Sequence, residues 1–292
     1  IFDTLNAVHV PGTSATLMTL KAVKGIEVEG GRVVVLLHLL DAYRDRSASY
    51  RPERVAWLLA ELHARHRAVV NGGSSPRAQV LGTGEAAQTP LRTARLDGLG
   101  CRVGTAGEDR TIEIYLAHGD SPTVLVLRRA FRTDQPGAAI GRRQLAGVRL
   151  AALAAGNLVT DAAVRSAERT LRLAAGRVAR TTVSPSAGRW DQLPAPLLSP
   201  DLAALDAALD GLPPRMIRPR FEAAMVRVIP IDRVLAIDYY PGDQRIDAVI
   251  GDRAGNTATI SATHAEAAPG RLDTIAAALT GGHGPVTHVS GT

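Results

Sequence analysis

Two aspartates near the C-terminus, Asp238 and Asp247, are the residues whose type and spacing come closest to a catalytic arrangement. They fall in successive strand candidates, and carboxylates on adjacent strands can hold Mg²⁺ for phosphodiester cleavage by a two-metal route. On that basis the chain would be a metal-dependent phosphodiesterase or nuclease with Asp238 and Asp247 as its catalytic carboxylates. A restriction-type nuclease also wants an acid-x-Lys element, and the only lysines, Lys21 and Lys24, are far away in sequence. Asp243 and Asp252 stand beside glycines, where a short carboxylate folds back on its own backbone, and read as turn residues.

A second group is Tyr239 and Tyr240 beside Arg245, which could stack on bases and hold a phosphate. With 2 Trp, 5 Tyr and 3 Phe in the whole chain, the composition argues against an extended stacking platform, and a half-buried tyrosine at a strand end explains the same residues. His63 and His66 lie on one helix without the H-E-x-x-H spacing, so one half-buried and one exposed histidine are expected there. The paired His-x-Ser/Thr signature of some phosphoesterases needs two copies, and only His288-Val-Ser290 supplies one. Gly82-Thr-Gly-Glu85 lacks a third glycine at the right spacing, and Gly72-Gly-Ser-Ser-Pro76 lacks the Gly-Lys-Ser/Thr that completes a phosphate loop. There is no G-x-S-x-G elbow. One cysteine, Cys101, excludes a disulfide framework and a cysteine-rich zinc site. No metal site and no cofactor are expected.

The C-terminal candidates sit in a run of four strands, Met225–Ile229, Val234–Tyr239, Gln244–Ile250 and Thr257–Thr263, separated by Pro241-Gly242-Asp243 and Gly251–Gly255 turns. A helix over Pro269–Leu279 and a strand start at Val286–Ser290 complete an OB-like or α+β unit, expected over 221–292 and cut short at its C-terminus. Earlier, Gly25–Leu40 has the pattern of a hairpin, with Gly30-Gly31 as its turn, running into a covered strand that could turn helical at its end. Pro52 opens a helix whose Val55, Leu58, Leu59, Leu62, His66 and Val69 repeat at i, i+3, i+4 and i+7, with Glu61 and Arg65 as an ion pair on the wet side. Residues 72–93 are loop-like. Alternation at Leu99, Cys101 and Val103, then at Ile112, Ile114 and Leu116, followed by apolar Val124–Leu127, predicts an antiparallel meander. Short segments at 148–153, 157–160, 170–173 and 178–183 continue the β pattern towards a small barrel or sandwich, although Val148–Val164 could equally be helical.

Between these stretches runs a proline-dense seam, Ser184–Arg220, holding seven of the chain's 17 prolines. Proline removes an amide donor and pushes its predecessor out of the helical region, so such a stretch cannot cross the middle of a sheet. The expected class is α+β, mostly β: antiparallel meanders or small barrels with flanking helices, in two bodies joined by the seam. The bodies are 1–183, with a subdivision at the 72–93 loop, and 221–292; 184–220 is the linker, carrying one short helix at Asp201–Leu209.

At 292 residues with 46% hydrophobic and 21% charged residues, the chain buries a proper core. No apolar run reaches the length of a membrane span. The formal charge of +6 permits a polyanion partner. The arginines are spread along the chain instead of forming a block, which also fits the codon usage of a GC-rich genome. These observations point to a non-enzymatic binding or scaffolding region of a larger bacterial cytoplasmic protein, with a protein or nucleic acid as partner. The phosphodiesterase at Asp238 and Asp247 is the alternative, and Arg245, Tyr239 and Tyr240 are the candidate polyanion contacts.

Overall fold

The structure, a computed structural model, describes residues 41–292 apart from 48–49, 51, 71–87, 107, 120, 134, 136, 167–168, 174–180, 187, 189 and 213–221. The expected Gly25–Leu40 hairpin lies outside the described residues. The chain divides into two units, residues 1–85 with 212–220 and residues 86–211 with 221–292.

In the first unit, α1 (Pro52–Val70) starts on its proline and carries Glu53 in its first turn and Arg67 in its last, both favourable to the helix dipole. His63 is exposed and His66 half-buried, as its position on the helix requires. Glu61 and Arg65 depart from expectation. Their Nε–Oε1 contact is 2.6 Å, but the pair is buried instead of facing water. The buried line follows Leu58, Glu61 and Arg65, turned by a fraction of a helical turn from the stripe read in the sequence. Mutual neutralisation is what lets two charges sit there.

The first part of the second unit, residues 88–185, carries ten strands, eight of them in one sheet and the fifth and sixth in a separate hairpin. Its strands are β1 (Gln88–Leu91), β2 (Ala94–Ala106), β3 (Asp109–His118), β4 (Val124–Arg132), β5 (Gln144–Leu145), β6 (Val148–Arg149), β7 (Gly156–Thr160), β8 (Ala163–Ser166), β9 (Thr170–Leu173) and β10 (Thr181–Pro185). Strand β1 lies in the stretch expected to be loop. The helices α2 (Gly137–Gly141) and α3 (Leu150–Ala155) intervene, so the 148–153 strand candidate turns helical after two residues. Eight strands hydrogen-bond in the order β1-β8-β9-β4-β3-β2-β7-β10. The β2–β3–β4 meander is antiparallel as its alternation requires, while β9 enters parallel to β4.

One face of the sheet buries Leu96, Ile112, Ile114, Leu116, Leu127 and Leu158 against Ile140 of α2 and Leu150 and Leu153 of α3. The helix-to-strand turn fits closely: a Cβ on Gly156 would stand 2.6 Å from the Ser184 carbonyl oxygen and 2.7 Å from that of Ala152. Only glycine permits that approach.

The other face explains the seam. Leu99, Ala117, Val124 and Val126 of the sheet, Leu193 and Leu197 of the seam, and Ala223, Val226 and Val228 beyond it form one buried cluster, with Trp190 packed against it. Val228 N–H donates to the Leu197 carbonyl at 2.8 Å, and Ser199 N–H to the Val228 carbonyl at 2.9 Å. Residues 190–199 therefore fill space between two layers of one unit, where a spacer between bodies was expected. The prolines are tolerated because the segment pairs only briefly, along one side. The seam's helix, α4 (Leu202–Asp210), is capped by Asp201, whose side chain accepts from Ala204 N–H at 2.7 Å. Residues 213–220 of the seam lie outside the described residues.

The remaining elements are β11 (Arg227–Pro230), β12 (Arg233–Tyr240), β13 (Arg245–Gly251), β14 (Thr257–Thr263), α5 (Arg271–Leu279) and β15 (His288–Gly291). Strand β11 pairs with β15, and β12-β13-β14 form a separate antiparallel sheet. The chain is thus an α+β protein dominated by strands.

Candidate functional site

The three-stranded sheet has one sheltered face and one open face. Ile246, Ala248 and Ile250 of β13 point inward and are buried. Because side chains alternate, Arg245, Asp247 and Val249 point the other way. Register builds the open face in rows: Ala236, Val249 and Thr259; Asp238, Asp247 and Ser261; Tyr240, Arg245 and Thr263. The two aspartates singled out in the sequence are therefore direct cross-strand partners on one face. Tyr240 and Arg245 join them there, while Tyr239, one residue out of phase, takes the opposite face.

The electrostatics of the face follow from Arg245. Its Nε donates to Asp247 Oδ1 at 3.0 Å, its Nη1 to Asp243 Oδ2 at 3.2 Å, and its guanidinium lies 4.7 Å from the centre of the Tyr240 ring. Arg245 thus serves two carboxylates and Asp238 adds a third; with Arg233 over Gly251 in the last row, three carboxylates stand against two arginines, and the face is net negative by one charge. The wider segment agrees: residues 223–292 hold seven carboxylates and five arginines, a formal charge of −2 in a chain whose total is +6. Such a surface repels a phosphate backbone.

A metal centre has a poor donor set here. Asp247 is already held by a guanidinium, and among the described residues no three His, Cys, Asp or Glu side chains are arranged to hold a metal ion. His288 and Ser290 lie on β15 in other roles. His288 meets the Trp190 ring edge-on at 6.1 Å, and the Ser290 hydroxyl donates to the Leu99 carbonyl at 2.7 Å.

Strand β12 is an edge of its sheet among the described residues. A bulge between Val234 and Ala236 twists it, and its apolar side chains remain in solvent: Leu235 is 50%, Tyr239 57% and Tyr240 43% exposed. An edge with unused backbone groups and exposed apolar side chains is a template for another strand.

Two supporting constellations escaped sequence reasoning. Asp252 is buried and accepts from Asn256 N–H at 2.8 Å, Asn256 Nδ2 at 2.9 Å and Leu202 N–H at 3.1 Å. It closes the β13–β14 turn and also ties down the start of α4. The Asn256 side chain foremost, aided by those backbone donors and opposed by burial, holds its carboxyl below the usual range. The glycine-flanked turn was visible in sequence, but its contact fifty residues away was not. The other is a cluster on β2, β3 and β4. Arg102 bridges Glu113 and Glu222, Arg128 reaches Glu113 at 2.7 Å, and Tyr115 lies 3.3 Å from both carboxylates. Burial raises the Glu113 carboxyl, but the Arg102 hydrogen bonds and the charges of Arg102 and Arg128 outweigh it, and its pKa is lowered. Burial, then the charge of Glu113, pushes the Tyr115 phenol up. Alternation put Glu113 opposite the apolar face; only register could show its partners.

Comparison with known proteins agrees with this architecture. Residues 223–292 match the family described as "YehQ C-terminal OB-fold domain". Residues 29–82 match the "YehQ four-helical bundle domain". The chain is similar to Protein YehQ of Escherichia coli (strain K12), 29% identical over 264 residues that make up 86% of this chain. It spans 43% of the length of that relative. No solved structure matches. Among the described residues no helix is long and apolar enough to cross a membrane.

Proposed function

We propose that the chain is a non-catalytic binding or scaffolding region of a longer cytoplasmic protein, and that its OB-fold part holds a polypeptide partner along β12. The observation that carries this reading is the edge strand with Leu235, Tyr239 and Tyr240 in solvent beside a net negative face. An extended segment adding to β12 gains main-chain hydrogen bonds, while the exposed side chains read alternate residues of the partner. Asp238, Asp243 and Asp247 favour lysines or arginines in that segment. The likeness to a "YehQ C-terminal OB-fold domain" supports a binding role, since OB folds carry ligands on their strand faces.

The test is an array of immobilised peptides in which Lys/Arg-containing sequences alternate with apolar residues, set beside acidic counterparts. The wild-type chain captures cationic members, and Leu235→Asp removes that capture. Equal capture of acidic members, or indifference to Leu235→Asp, rejects the reading.

The phosphodiesterase has one observation in its favour, the direct pairing of Asp238 with Asp247. It requires Mg²⁺-dependent cleavage of a labelled oligonucleotide that disappears in Asp238→Asn. The pre-emption of Asp247 by Arg245 makes it the weaker of the two.

A further inference from the structure

We propose that a cluster of five arginines at one end of the eight-stranded sheet, Arg110, Arg129, Arg142, Arg143 and Arg149, binds the phosphate backbone of a nucleic acid. This surface is separate from the open face of β12–β14 and carries the opposite charge. Register brings the cluster together. Arg110 on β3 is the cross-strand partner of Phe131 on β4, and Arg129 stands two residues before Phe131 on the same face. The Arg143 guanidinium lies 4.8 Å from the centre of the Phe131 ring. Arg149 is held beside it by the β5–β6 hairpin, where the Leu150 N–H donates to the Arg143 carbonyl at 2.9 Å. Arg142 directly precedes Arg143 at the end of α2 and, like Arg149, is exposed; Arg110, Arg129 and Arg143 are half-buried.

These five combine grouping with a lack of counter-charge, whereas Arg95 and Arg172, also without an ion pair among the described residues, lie on the separate strands β2 and β9. Elsewhere on the sheet, Arg102 and Arg128 are paired with Glu113, Arg102 also with Glu222, and Arg132 with Glu108. Among the described residues none of the five forms an ion pair, and the Arg129 Nη1 contact to the neighbouring Arg128 carbonyl is long, at 3.5 Å. Grouped guanidiniums repel one another within a Debye length of about 8–10 Å, a cost that an anion removes. Arginine presents paired N–H donors that match phosphate oxygens, and an arginine braced on an aromatic ring loses less freedom on forming that contact. A backbone of regularly spaced phosphates satisfies several such groups at once, which a single phosphate or carboxylate does not.

The experiment is fluorescence anisotropy of the full 292-residue chain with labelled duplex DNA and single-stranded RNA of mixed sequence, at about 50 and 200 mM salt. Five phosphate contacts on duplex DNA give a log K versus log salt slope of roughly −4.5. The Arg142→Glu/Arg149→Glu variant is expected to bind at least about tenfold more weakly at low salt and to lose about two units of that slope. A matched variant elsewhere on the sheet, Arg95→Glu/Arg172→Glu, has the same net charge and separates a local site from bulk charge. Arg142→Ala and Arg149→Ala singly, each checked by circular dichroism, serve if the double reversal misfolds. Absence of binding at low salt, equal loss in the matched variant, or preference for phosphatidylserine vesicles over nucleic acid would each overturn the proposal.

Discussion

Leu197→Ala tests whether the proline-dense seam is structural filling or a spacer. Leu197 is 1% exposed and touches sheet residues on one side and β11 on the other. Truncation removes three carbons, worth about 2.4 kcal/mol at ~0.8 kcal/mol per buried methylene. The cavity left behind raises the expected loss to roughly 3–4 kcal/mol, within the range of buried leucine truncations. Leu209 in the seam's helix α4 is 42% exposed, so Leu209→Ala should cost less than about 0.5 kcal/mol. Urea unfolding measures both. Trp190, packed against this cluster, reports locally by fluorescence once Trp57 is replaced by Phe, and far-ultraviolet circular dichroism reports on the whole sheet. The Leu197→Ala midpoint should fall with both probes together. A loss below about 1 kcal/mol, or one indistinguishable from Leu209→Ala, would refute the packed seam.

Glu61→Ala removes the carboxylate that the buried Arg65 bonds at 2.6 Å and should destabilise the chain by roughly 1–3 kcal/mol, read as a fall in urea midpoint. Glu113 and Asp252 have lowered carboxyl pKa values, so the unfolded chain binds more protons than the native one as pH drops below the ordinary carboxylate range. Their stabilisation is complete above that range and is lost as pH falls through the lowered values; thermal melts between pH 2 and 6 should show it, with a shallower acid slope in Glu113→Gln. Asp238→Thr relieves a like-charge cross-strand pair and should raise stability by about 0.2–1 kcal/mol, while Arg245→Ala, which bares Asp247 to Asp238, should lower the melting temperature.

Much of the strand framework was legible because alternation is a local property. Ile112, Ile114 and Leu116 declared one buried face residue by residue, and the turn residues set the hairpins, but a bulge between Gly98 and Gly100 turns Leu99 to the face opposite Val103. What local pattern could not carry was pairing at a distance. Nothing in Thr170–Leu173 announces a parallel partner in β4, and nothing in the seam announces that Leu193 and Leu197 have a sheet face to fill. The same limit governed charge. Arg110, Arg129 and Arg143 are scattered in sequence and gather around Phe131 in the fold, whereas Arg245, which looked available beside two tyrosines, is consumed by Asp243 and Asp247. Asp238 and Asp247 were found by type, but only register placed them opposite one another. Glu61 and Arg65 show the converse failure: spacing predicted their contact correctly and its burial wrongly.

Amide hydrogen exchange of the chain, alone and with a cationic peptide captured on the array, tests the central claim most directly. Binding along the free edge should slow exchange of the β12 amides and leave those of β3 and β4 unchanged. Protection confined to another surface, with β12 exchanging as before, would contradict it.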